Sequence, residues 1–265
     1  MKRLHFAFGC GSLKLAGTLD TAPGTTGLLI VSGGNEVRAG AFSTQSHLAA
    51  AIAQRGFPAL RFDRRGIGDS EGENRGFRSS KGDISCALEA FRAMAPQMER
   101  VVGFGNCDAA SALMLAGGAG FDGLVLSNPW TFDEEADGDA DQGEPQHAPG
   151  AIRARYANKL KDPREIARLL RGGVDVGKLA RGVLRAVRPA APASTLAAEM
   201  RDGLADFDGP ARILLAGADR TAQAFAEQWD GDDTRLQICP DAGHSYVESA
   251  HRQWLEEQIL AALRA

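Results

Sequence analysis

The sequence predicts an α/β fold: a mostly parallel, twisted sheet with helices on both faces and a helical lid inserted into it. Three observations point there. Short apolar runs ending in turn residues alternate with amphipathic helical stretches along most of the 265 residues. The alternation breaks once, over residues 131–205, and then resumes. The break follows a predicted strand, where a long irregular excursion tends to cover a functional site. The expected division is therefore a core of residues 1–130 and 206–265 and a cap of residues 131–205.

The elements follow in order. Residues 3–10 and 12–20 read as two strands turning near Gly11, the second alternating Leu13, Leu15, Gly17 and Leu19. Residues 27–31 (GLLIV) form a buried-strand run that enters Ser32-Gly33-Gly34. Residues 43–55 look helical, with Leu48 and Ile52 on one stripe and a stop at Gly56. Residues 58–62 make another strand, followed by a glycine-rich loop over 63–72. A helix is expected over 82–95, where Ile84, Leu88, Phe91 and Met94 share a face. Residues 101–105 are a strand, 108–117 a helix of small residues, and 123–126 a strand ending near Asn128-Pro129. Past the cap come a strand at 213–215, a helix at 221–229, a strand at 236–239 and a long helix at 245–264. No internal repeat is present.

Composition limits the function classes. Thirty Lys and Arg face thirty-four Asp and Glu, a net charge of −4, and 44% of residues are hydrophobic. That excludes a disordered chain and gives no electrostatic footprint for nucleic acid. No apolar run is long enough for a transmembrane helix. Lys2 and Arg3 precede an apolar stretch too short for a secretory signal. Four cysteines are too few for a disulfide scaffold, so reduced thiols and a cytoplasmic location are expected.

The mild net charge is an average. Residues 133–144 hold seven acids and no base, whereas 152–188 hold eleven Lys and Arg against three acids. Leu179, Val183, Leu184 and Val187 form an apolar face in that basic stretch. It could make peripheral contact with an anionic membrane, but a solvated face partly neutralised by the acidic loop is favoured.

The most informative segment is Gly105-Asn106-Cys107-Asp108-Ala109. A strand ends, a cysteine follows at the turn, and a helix begins. This is the context of the nucleophile elbow, written G-x-S-x-G in serine hydrolases. Cysteine replaces the serine, and Ala109 replaces the last glycine. A thiol at a helix N-terminus gains stabilisation of its thiolate, and the Asp108 N–H is offered to an oxyanion. The plain alternative is that Cys107 is a small buried hydrophobe.

The nucleophile needs a base and an orienting acid. His147, His244 and His251 lie downstream. His244, in a glycine loop after the last strand, is the candidate base, since such loops converge on one crevice. Asp219, at the end of the preceding strand, is the candidate acid; its ordinary alternative is a helix N-cap. Asp133 is the reserve acid, and Asp241 is less favoured. The second oxyanion donor is expected from the Gly34 or Asn35 N–H in the loop after the early buried strand. Arg38 could meet an acidic substrate group, although a solvent-facing role is favoured, and Trp130 is a candidate substrate contact.

These features resemble the α/β-hydrolase superfamily over nearly the whole chain. Residues 62–72 (FDRRGIGDSEG) are similar to that family's D-x-R-G-x-G-x-S loop, whose role is mostly structural. More narrowly, GGNEVRAG at 33–40, LRFDRRGIGDSEG at 60–72, NCDAAS at 106–111 and LSNPW at 126–130 resemble the exosortase A system-associated hydrolases. That resemblance implies a bacterial setting near exopolysaccharide and protein-sorting loci. It implies no particular reaction.

The expected activity is hydrolysis of an ester or thioester through Cys107, His244 and Asp219, with a thioester acyl-enzyme intermediate. The expected substrate is a small-molecule or lipid-linked acyl compound. No metal, nucleotide or redox cofactor is required, and neither a phosphate-binding loop nor paired metal-ligand spacing occurs. The alternatives are acyl transfer to another acceptor by the same nucleophile, or a non-catalytic ligand-binding body in which Cys107 is inert.

Overall fold

The computed structural model describes residues 1–118, 120–132 and 195–265. Its strands are β1 (Arg3–Cys10), β2 (Leu13–Asp20), β3 (Thr26–Val31), β4 (Ala59–Phe62), β5 (Arg100–Asn106), β6 (Gly123–Ser127), β7 (Ala211–Ala216) and β8 (Leu236–Cys239). They form one sheet in the order β1-β2-β4-β3-β5-β6-β7-β8. The β1–β2 and β2–β4 pairs are antiparallel; every other pair is parallel. The helices described are α1 (Thr44–Gln54), α2 (Lys81–Met94), α3 (Asp108–Leu115), α4 (Thr195–Ala205), α5 (Arg220–Gln228) and α6 (Ser249–Arg264).

The unbroken apolar runs mark strands covered on both faces. Leu28, Leu29, Ile30 and Val31 of β3 are all fully buried, as are Leu124, Val125 and Leu126 of β6. Alternate residues feed two separate cores. Leu29, Val31, Leu124 and Leu126 join Ile84, Leu88 and Phe91 of α2 and Leu113 of α3 on one face. Leu28, Ile30, Phe104 and Val125 join Ile52 of α1 and Ile259, Leu260 and Leu263 of α6 on the other. Within the described residues the predicted strands and helices of the core are thus present, each within a few residues of its expected bounds.

Two findings differ from expectation. Helix α4 lies in the stretch expected to belong to the cap, yet it packs on the core. Its Leu196, Met200 and Leu204 are buried in the same cluster as Leu113 and Met114 of α3. Alternation resumes at this helix, ahead of strand β7; only its apolar spacing could have signalled that. The acidic stretch 133–144, the basic stretch 152–188, Asp133 and His147 lie outside the described residues.

The second difference corrects the cysteine reading. Cys10, at the end of β1, and Cys86, in α2, form a disulfide with their Cα atoms 5.5 Å apart, an ordinary span for such a bridge. Cys107 and Cys239 are the free thiols. A count of four said nothing of geometry: the two partners are 76 residues apart. They meet because α2 crosses the sheet face onto which Cys10 points. The cytoplasmic expectation loses its support with this pair. Among the described residues, no helix is long and apolar enough to cross a membrane.

Candidate active site

Strand β5 delivers Cys107 to the carboxyl edge of the sheet. The residue sits at φ 62°, ψ −130°, immediately ahead of α3. Left-handed φ is costly for a residue with a Cβ, on the order of 1–3 kcal/mol, and such strain concentrates at functional sites. The turn holds because both its backbone groups are engaged. The Cys107 N–H donates to Ser127 O at 3.0 Å, and its carbonyl accepts from Ala110 N–H at 3.0 Å. Glycine is required two residues earlier: a side-chain carbon at Gly105 would lie 2.7 Å from the backbone of Ala109 and Ala110. Ala109 itself is fully buried, so a methyl fits where the family motif has glycine.

His244 follows β8. Its Nδ1 lies 2.9 Å from Asp219 Oδ2. Asp219 is at once the N-cap of α5, accepting from Ala222 N–H at 3.1 Å. The two sequence readings of Asp219 are therefore both present, and the cap fixes the carboxylate that meets the imidazole. The His244 pKa is raised from 6.5 to about 10, first by the hydrogen bond to Asp219 and then by one to the Cys107 side chain, with burial acting against both. The structure brings Cys107, His244 and Asp219 together. It does not bring Asp241, whose charge bears on Cys239, or His251, which pairs with Glu248 at 3.1 Å.

A residue with no role assigned from sequence ties these loops. Asn128, fully buried at φ 44°, ends the strand that neighbours β5. Its Nδ2 donates to Asn106 Oδ1 at 2.9 Å and to the His244 carbonyl at 3.2 Å. Its Oδ1 accepts from Ala216 N–H at 2.8 Å. It thereby joins the residue before the nucleophile, the end of β7 and the backbone of the base. The signal available in sequence was Asn-Pro after an apolar run, which marks a turn and no more.

The expected oxyanion donors are differently engaged. The Asp108 N–H is one of the orphan donors in the first turn of α3. The Gly34 N–H donates to the Asp108 carboxylate, at 2.6 Å from Oδ1. The Asn35 N–H has no acceptor among the described residues, while the Asn35 side chain accepts from Asn74 at 2.8 Å. Arg38 is committed elsewhere. Its guanidinium pairs with Asp63, reaches Asp69 at 2.8 Å and Thr18 at 3.0 Å, and so braces the glycine-rich loop. Trp130 donates its indole N–H to Phe132 O at 3.0 Å and packs its ring 4.6 Å from that of Phe132.

A cavity of about 220 Å³ opens beside the site. Phe42, Leu48, Phe104 and Val247 are among its walls, and its lining includes Asn106 and His244. Phe42 lines the cavity with a left-handed φ of 51° and stands 88% exposed. Sequence reading did not single out this residue.

An open, mostly parallel sheet with a strained residue at the end of β5, and a histidine–aspartate pair from the loops beyond β7 and β8, is the architecture of an α/β hydrolase. The Alpha/beta hydrolase family model matches residues 28–257, and the chain belongs to that family. No curated protein matches the chain. Solved structures share the fold. The esterase Pf2001 of Pyrococcus furiosus is 14% identical, with a TM-score of 0.62 over 99% of this chain and 92% of that one. XC6422 of Xanthomonas campestris, described as an a/b serine hydrolase without lid, is 14% identical, with a TM-score of 0.59 over 100% and 94%. Est1E of Butyrivibrio proteoclasticus, solved with ferulic acid, is 14% identical, with a TM-score of 0.60 over 98% and 100%.

Proposed function

We propose that this protein hydrolyses an ester or thioester through a Cys107–His244–Asp219 triad. The observation that carries the reading is the strained Cys107 at a helix N-terminus, set with a histidine whose Nδ1 lies 2.9 Å from Asp219 Oδ2 and whose pKa is raised to about 10. In the proposed mechanism His244 takes the proton of the Cys107 thiol, and the thiolate so formed faces an imidazolium that Asp219 holds through Nδ1.

The thiolate attacks the acyl carbon, and the carbonyl π pair moves to oxygen. The tetrahedral intermediate collapses and expels the alkoxide or thiolate, which takes the proton of the imidazolium. Acylation removes the thiolate charge that helped hold that proton, so His244 can now accept one from water. Hydroxide adds to the thioester, the Cys107 thiolate leaves, and the ion pair is restored. The Asp108 N–H is one oxyanion donor, and one such donor is worth about 3 kcal/mol. The cavity beside His244 takes a compact apolar part of the substrate.

Proteins named as esterases share the fold, which is consonant with this chemistry. The resemblance to the exosortase A system-associated hydrolases, carried by the segments at 33–40, 60–72, 106–111 and 126–130, suggests a bacterial setting near exopolysaccharide and protein-sorting loci, and the substrate we propose is a small-molecule or lipid-linked acyl compound. A panel of short and long acyl esters and thioesters tests the reading on wild type and Cys107→Ala. We expect turnover in wild type and at least a hundred-fold loss in the variant. Equal rates in both would sink the assignment. Equal labelling of Cys107 and the buried Cys239 by iodoacetamide near pH 7 would count against an activated thiolate.

A further inference from the structure

The Asp108 carboxylate has no part in the mechanism above, yet it lies at its centre. Asp108 follows the nucleophile, and its side chain folds back to the loop after β3. Oδ1 accepts the Gly34 N–H at 2.6 Å, and Oδ2 lies 3.3 Å from Arg64 Nη2. Arg64 also donates to the Gly34 carbonyl and, through Nη1, to Ser80 Oγ at 3.1 Å. This guanidinium side chain is only 4% exposed, and its buried Nε has no hydrogen-bond partner. The carboxylate shares the cleft with the nucleophile: a side-chain carbon at Gly33 would lie 2.7 Å from Asp108 Oδ1 and 3.7 Å from Cys107 Cβ.

An anionic oxygen on a loop N–H beside the nucleophile is what an oxyanion hole is built to hold. We propose that Asp108 is a displaceable occupant of that hole: its carboxylate holds the Gly34 N–H in the substrate-free protein and yields it to the substrate oxygen as charge develops there. Arg64 retains the carboxylate in both arrangements and offsets its charge. Left unneutralised, that charge would oppose both the thiolate and the forming oxyanion. Asp108 and Arg64 are thus positioning residues. Neither belongs to the motif positions of the two loops: Asp108 is the variable residue after the nucleophile, and Arg64 the variable residue of D-x-R-G. This inference rests on the proposed acyl chemistry and adds to it which donor is gated, and by what.

The test is a double-mutant cycle with Asp108→Ala and Arg64→Met on a p-nitrophenyl ester, with melting temperatures recorded. Asp108→Ala frees the Gly34 N–H, so kcat is expected to rise about ten-fold with KM little changed. Arg64→Met leaves the carboxylate uncompensated, and kcat is expected to fall at least ten-fold. The double variant should recover to the Asp108→Ala level, because Arg64 acts through Asp108. A fall in kcat for a folded Asp108→Ala, or a double variant no better than Arg64→Met, would overturn the proposal. Should Asp108→Ala not fold, Asp108→Asn, which keeps an uncharged acceptor, is expected to give a smaller rise; no rise overturns it equally.

A second readout separates this inference from the reaction on which it rests. A trifluoromethyl ketone should form a hemithioketal at Cys107, with the Gly34 amide followed by NMR. In free wild type that amide should report the Asp108 carboxylate and shift in Asp108→Ala; in the adduct, the two proteins should give matching Gly34 signals. An adduct in which Gly34 still differs between them sinks the displacement alone. No adduct and no turnover sink both readings.

Discussion

Replacing Asn128 by alanine tests whether the site is held by one buried amide. The substitution removes three side-chain hydrogen bonds, to Asn106, to the His244 carbonyl and to the Ala216 N–H. At about 1 kcal/mol for each neutral bond, the loss is roughly 3 kcal/mol, and the buried Ala216 N–H is left unsatisfied. Backbone adds to this, because the residue sits at φ 44°, where alanine is worse than asparagine by about 1 kcal/mol. The sum of about 4 kcal/mol corresponds to roughly 10 °C in Tm for a chain of this size. Asn128→Gly loses the same bonds without the left-handed penalty and should melt about 3 °C above Asn128→Ala. Calorimetry measures both, and iodoacetamide labelling of Cys107 follows the site. With the His244 backbone released, labelling should slow about ten-fold in each variant. A melting temperature within 2 °C of wild type, or unchanged labelling, would refute the reasoning.

Three further outcomes are expected. The His244 pKa is about 10 in the folded protein against 6.5 for a free imidazole, so turnover that needs the imidazolium should fall as pH rises through 10. Its contribution to stability is complete below about pH 6.5 and is lost over the same climb; in Asp219→Asn, which removes the largest cause, both losses should come at lower pH. Reducing Cys10–Cys86, or replacing Cys86 by serine, opens a closed loop with a sequence separation of 76. In the chain-entropy account that costs about 4 kcal/mol, read as a lower denaturant midpoint. Leu48→Trp should fill the cavity and raise KM at least ten-fold for bulky acyl groups while leaving acetyl esters nearly unaffected; equal effects on both would place the substrate elsewhere.

Much of the fold was legible because local pattern and tertiary environment agree. The runs 27–31 and 123–126 are apolar on both faces, and both become central strands. Cys107, Asp219 and His244 were legible because each sits where a predicted strand meets a turn. Other features had no local sign. Asn128 acts through a left-handed backbone and three partners distant in sequence. Arg64 and Asp108 are ordinary charged residues until the loops converge and set them beside Gly34. The Cys10–Cys86 pair depends on how α2 lies across the sheet. In α4 the apolar spacing was present, but the irregular segment before it hid the return to the core. Arg38, expected to face solvent or substrate, is half-buried and held by Asp63 and Asp69.

The Cys10–Cys86 bridge also has a mechanical consequence. It ties the edge strand at the N-terminus to a helix against the middle of the sheet, and the ring it closes contains the loops that carry Gly34, Arg38 and Arg64. Tension applied at Met1 passes through Cys10 directly to Cys86. Those loops are bypassed rather than extended, and about 76 residues, roughly 250 Å of contour length, are withheld from the force–extension curve until the bond is reduced. A pull from the N-terminus would thus peel β1 without stretching the chain that frames Cys107, whereas the same pull after reduction would unravel that frame first.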